Sequence, residues 1–249
     1  VIDGNQDLNV VTFQDNETSD AILVGFTISN GKTHGILITY VANAVSGPII
    51  RNNIIASNGL VNDYGNGIQS SRSVKLYNNK IINNKATGGG GGGVLVGGTN
   101  LEIIGNEIIN NIFEGNDNGF GTAGGAGLRA SNNFFDDDTS IIKNNLIKGN
   151  YIIGNAYGGG LWIDGGNHEV TENVIIENSA VMRGGGVVIF GKVNALLKNN
   201  TIADNVAVTG SAVDIRPYGN PHPDVQLLNN IFISNISTSV DGAIIDTKS

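Results

Sequence analysis

Asp164, Asp214, Arg129 and His222 are the residues whose types could do acid–base chemistry together. Two carboxylates across one bond are what hydrolysis of a glycosidic linkage requires. A cation and a base beside a uronate carboxylate are what β-elimination requires, often with calcium held on acidic side chains. The run Asp136-Asp137-Asp138 offers such ligands, although it lacks the glycine–aspartate spacing of nonapeptide calcium repeats. For every one of these acids the competing reading is plain solvated surface, the usual fate of a carboxylate. Trp162, the only tryptophan, either offers a flat apolar face to a sugar ring or packs beneath an inserted loop. Arg129, Arg183, Arg216 and Tyr218 complete the set of candidate binding residues.

What must position these residues is a repeat. Seven segments begin at Asn53, Asn79, Asn106, Asn145, Asn173, Asn200 and Asn230. Each has a large apolar residue two positions on (Ile55, Ile81, Ile108, Ile147, Ile175, Ile202, Phe232) and a second Asn five positions on, from Asn58 to Asn235. Three positions before each leading Asn stands another apolar residue, as in Ile50, Leu76 and Ile103. From Phe26, a degenerate earlier copy, the intervals are 27, 26, 27, 39, 28, 27 and 30. A Gly-led apolar cluster precedes each copy, clearest at Gly93-Val94-Leu95-Val96, Gly160-Leu161-Trp162-Ile163 and Gly186-Val187-Val188-Ile189.

Self-similarity at this period signals a solenoid. No apolar pattern of period 3.6 persists, and Gly and Asn interrupt every run, which excludes helices. The period is too short for propeller blades and the consensus too poor in Leu for leucine-rich repeats. The expected fold is all-β: a single-stranded right-handed parallel β-helix of about eight coils with three short strands each, forming one domain over residues 1–249. Parallel strands stacked about 4.8 Å apart place like residues over like, so Ile forms an interior column. Asn is expected to take left-handed bends and pass amide hydrogen bonds up the stack, a structural role. Gly before the third cluster permits a tight bend.

Insertions cluster around the Gly-led strand, the longest being 113–126 and 131–139. Variable loops on a fixed scaffold mark a working face. The outward residues of that strand are expected to be Leu37, Gln69, Leu95, Arg129, Trp162, Val188, Asp214 and Ile245. Asp164 and Asp214 then lie two coils apart, a rise of about 10 Å, the far edge of what an inverting pair tolerates. Convergence of Arg129, Asp164, Asp214 and His222 on one cleft would favour an enzyme.

The Asn-Asn-x-Ile-x-x-Asn and Gly-Gly-Gly-Ile patterns resemble the repeats of the pectin lyase-like superfamily over essentially the whole chain. The resemblance implies the right-handed β-helix and a glycan groove along the Gly-led strand, and says little about activity. Members usually carry further coils and a cap upstream, so this chain, which opens at Val1 without Met, reads as a fragment or processed product. Tyr218-Gly219-Asn220-Pro221-His222 resembles the Tyr-Gly-x-Asp-Pro-His motif of mannuronan C5-epimerases, one residue short and with Asn220 in place of the acid. Loss of that proton-transfer partner argues against epimerase chemistry, and a Pro-containing turn is the alternative.

Composition bounds the rest. The chain has 249 residues, 37 Gly, no Cys and a formal charge of −8. That charge opposes nucleic-acid binding, which needs basic stripes to displace counterions. No apolar run approaches the length of a membrane span. The expected role is a secreted or cell-surface β-helix, structural or adhesive, recognising polysaccharide and able to associate end to end. A polysaccharide lyase or glycoside hydrolase acting on an acidic glycan in the same groove is the alternative. No cofactor is required by the first reading; Ca2+ fits the second.

Overall fold

The computed structural model describes residues 1–41, 46–59, 66–88, 90–115, 123–132, 138–218, 222–240 and 242–247. Among them every regular element is a strand. Among the described residues no helix is long and apolar enough to cross a membrane. Strand pairing is parallel and joins each coil to the next, giving a right-handed solenoid of about eight turns.

One sheet holds nine strands that follow the leading Asn, from Ile2–Asp3 through Lys80–Ile82 and Glu107–Ile109 to Ile231–Ile233. Its register stacks Ile28, Ile55, Ile81, Ile108, Ile147, Ile175, Ile202 and Phe232 in one file. The isoleucines of this file are fully buried, each contributing about 1.5–3 kcal/mol by burial. The Gly-led strands and the strands before the leading Asn form the larger sheet. In two coils these run on as single bent strands, Leu161–Thr171 and Val187–Lys198. Several coils add a short fourth strand, such as Ile112–Glu114 and Tyr151–Ile153, a feature beyond the three read from the repeat.

Both Asn columns are buried ladders. Asn111 donates from Nδ2 to Ile81 O at 2.9 Å and to Asn150 Oδ1 at 3.0 Å. Its own Oδ1 accepts the backbone N–H and side-chain N–H of Asn84 at 2.9 and 3.0 Å. The same bonding recurs at Asn106 and Asn145 in the other column. The ladder Asn does not itself take the left-handed bend, contrary to expectation. The residue before it does: Asn52, Asn78, Gly105, Asn144, Glu172, Asn199 and Asn229 all have φ between 52° and 70°. An Asn-Asn pair therefore divides two tasks, the first residue turning the chain and the second bonding upward.

The glycines ahead of the Gly-led strand answer the second ladder. A Cβ on Gly127 would stand 2.6 Å from Gly160 O and 2.9 Å from Asn150 Nδ2, too close for any side chain while the coils stay in hydrogen-bonding register.

Glu177 occupies a left-handed position at φ +57° where Gly149 and Asp204 stand in the neighbouring coils. Glutamate suits that backbone poorly, whereas Asn tolerates it. The exposed pair with Lys148 at 3.0 Å is worth little. Glu177→Asn should therefore raise stability by about 0.5–1 kcal/mol, seen as a higher urea midpoint.

Candidate functional site

The outer face of the Gly-led strand carries two files. Register pairing gives Leu95, Arg129, Trp162, Val188, Asp214 and Asp246 in the first. It gives Ser131, Asp164, Phe190 and Arg216 in the second. The last outward residue is thus Asp246, not Ile245, which pairs with the inward Val213. The terminal coil holds one residue more between its short strand and its Gly-led strand than the repeat suggests.

Trp162 is fully buried. Its indole meets Phe190 with ring centroids 5.4 Å apart and the edge of Tyr157 at 6.4 Å, while the Arg129 guanidinium lies 5.1 Å from its centre. Of the two roles open to it, packing is the one this burial fits; no indole face is left for a sugar. Phe190 passes the stack to Tyr218 at 5.4 Å, and Tyr218 is 60% exposed. Arg216 lies over Tyr157 at 4.3 Å.

Both candidate acids are engaged by cations. Asp164 Oδ2 accepts from Trp162 Nε1 at 2.8 Å and from Arg129 Nε and Nη2 at 3.1 and 3.0 Å. Asp214 is fully buried between Arg183 Nη1 at 3.9 Å and Arg216 Nε at 3.7 Å. Arg183 also pairs with Asp246 at 3.0 Å, and Thr209 donates to the same oxygen at 3.1 Å. The two acids remain two coils apart and stand in different files. Sequence reasoning named these residues without the pairing that joins them. Asp246 and Phe190 were missed, although Phe190 stands three positions after Val187 in its Gly-led strand, just as Asp164 stands three after Leu161.

Asp214, held between two arginines and closed to water, is poorly placed to protonate a leaving group or to activate a nucleophilic water. The face is instead built to hold charge in compensated pairs. His222 is exposed beyond Tyr218. Residues 219–221, central to the epimerase-like motif, lie outside the described residues, as do Asp136 and Asp137. Asp138 accepts from Asn100 Nδ2 at 2.7 Å. Among the described residues no three His, Asp or Glu side chains converge as a metal site.

His168, which the sequence places near Trp162 and Asp164, points inward in register with Ser140 and Ala195. Its Nε2 donates to Gly165 O at 2.8 Å, which fixes the tautomer, and its Nδ1 is buried without a hydrogen-bond partner. Burial pushes its pKa below the ordinary imidazole value, outweighing the nearby carbonyls and Asp164. The unfolded chain then binds a proton that the folded chain refuses as pH falls below about 6.5. Stability from this group is full above that value and declines below it, by at most about 1.4 kcal/mol per pH unit. Urea midpoints measured from pH 7 to 5 should fall more steeply for the native chain than for His168→Leu.

A family model described as "Right handed beta helix region" matches residues 16–245. No curated protein and no solved structure matches the chain.

Proposed function

Since the chain belongs to the right-handed β-helix family, we propose that it works as a secreted or cell-surface scaffold that binds polysaccharide along the Gly-led face without cleaving it. The observation that carries this reading is the state of the face itself. Its acids are covered and paired with arginine, while Tyr218 stands exposed at the end of an aromatic stack, next to Arg216. A tyrosine ring held by Phe190 presents a rigid apolar surface to a sugar, and its hydroxyl a hydrogen-bonding edge. The partly exposed guanidiniums of Arg183 and Arg216 supply N–H donors for sugar oxygens.

Affinity electrophoresis of the folded chain in gels containing soluble glycans tests this, with ultraviolet absorbance recording any unsaturated product. Retention weakened by Tyr218→Ala, with no new absorbance, is the expected result. Release of unsaturated or shortened product would transfer the face to the lyase or hydrolase reading. Absence of retention on every acidic and neutral glycan would sink the binding reading.

A further inference from the structure

A second groove runs along a different leg of the coil, on the outside of the strands that precede the leading Asn. Two files of outward residues build it. One reads Thr139, Asn167, Asn194 and Asp224; the other reads Ile141, Glu169, Leu196 and Gln226. A cavity of about 290 Å³ lies between them over the later coils. Another of about 260 Å³, at Ser73, Lys75 and Asn100, occupies the same two files two coils earlier. Two separate hollows in one pair of files indicate a track parallel to the solenoid axis, and Asn100 and Thr139 adjoin across the junction.

From Thr139 to Asp224 the chemistry of this track differs from the surface around it, whereas in its earlier coils Lys75 pairs with Glu102 in the second file. The strands after the leading Asn carry long charged side chains paired coil to coil, as in Lys80–Glu107 and Lys148–Glu177. The groove's first file instead carries short hydroxyl and amide groups at successive coils, ending at Asp224. Asn194 Nδ2 donates to Asn167 Oδ1 at 2.9 Å, which orients both amides along the track. Such groups donate and accept alike, as sugar hydroxyls do. In the second file Ile141 and Leu196 are partly exposed two coils apart, about 9.6 Å, close to the length of a disaccharide unit in an extended β-linked chain. Glu169 lies between them, and it and Asp224 are acceptors for sugar hydroxyls that would repel a uronate.

From this geometry we infer that the groove at Asn167, Asn194, Glu169 and Asp224 is a binding site for a neutral, extended polysaccharide lying parallel to the solenoid axis. It is independent of the Gly-led face and does not rest on the reading proposed for it.

The test is affinity electrophoresis and calorimetry with mixed-linkage β-glucan, xylan, mannan and galactan, beside alginate and polygalacturonate. The probes are used on the native chain, Asn167→Ala/Asn194→Ala and Tyr218→Ala. Both asparagines point outward, so circular dichroism should show an unchanged fold. The expected result is binding of at least one neutral glycan, weakened about tenfold or more in the double variant and unchanged in Tyr218→Ala. Loss in Tyr218→Ala alone, binding of only acidic glycans, or no binding by any neutral glycan would overturn the inference. The first two of those outcomes would leave the Gly-led reading standing.

Discussion

Replacing Asn111 with alanine should lower stability by about 3–5 kcal/mol, one of the largest effects available in this chain. The magnitude comes from what the amide serves. Its removal leaves the Asn84 backbone N–H and one side-chain N–H without an acceptor, and takes a donor from Ile81 O and from Asn150 Oδ1. All lie in a buried column, where each unsatisfied group costs about 1–3 kcal/mol; partial relaxation keeps the total below a simple addition. Asn230, last in its ladder and partly solvated, provides the control. It donates to Leu197 O at 2.8 Å and accepts from Asn200 at 2.9 Å, but water can replace those partners, so Asn230→Ala should cost about 1 kcal/mol. Neighbouring coils of a solenoid need not unfold together. Hydrogen exchange should therefore accompany the urea midpoints, with protection lost first between residues 81 and 111.

The second large effect is expected at Trp162. Truncation to alanine removes a fully buried indole, its contacts with Phe190 and Tyr157, and a donor to Asp164. A cost of about 3–5 kcal/mol follows from comparable aromatic truncations. Trp162→Phe keeps one aromatic ring but loses the hydrogen bond and part of the buried volume, so a smaller cost of about 1–3 kcal/mol is expected. If instead the indole were a sugar platform, Trp162→Ala would leave the urea midpoint near that of the native chain and abolish glycan retention.

The ladder and the core file were legible in the sequence because in-register stacking forces like residues to recur. Asn at every leading position and Ile two residues later can be counted without knowing the fold. The assignment of the left-handed bend to the ladder Asn failed where Asn-Asn pairs hide which member turns. Gly105 before Asn106 was the signal, since Gly marks the residue that must take positive φ. The burial of Trp162 was not legible, because its cover comes from Tyr157, Phe190 and Arg129, which meet it only once three coils are stacked. The arginine pairs that close Asp164 and Asp214 depend likewise on register. Loop length directed attention to the Gly-led face, although the insertion 131–139 ends at Thr139, a member of the first file of the groove at Asn167 and Asn194.

The lack of native cysteine allows the stacking itself to be measured. Ile54, Val174, Thr201 and Ile231 occupy one outward-facing file of the nine-stranded sheet. Spin labels on cysteines placed at Ile54 and at each of the other three in turn should give distances of about 19, 24 and 29 Å, one coil rise per step. Distances that fail to grow in equal steps, or that shorten as sequence separation increases, would contradict the parallel coils on which both proposed glycan faces depend.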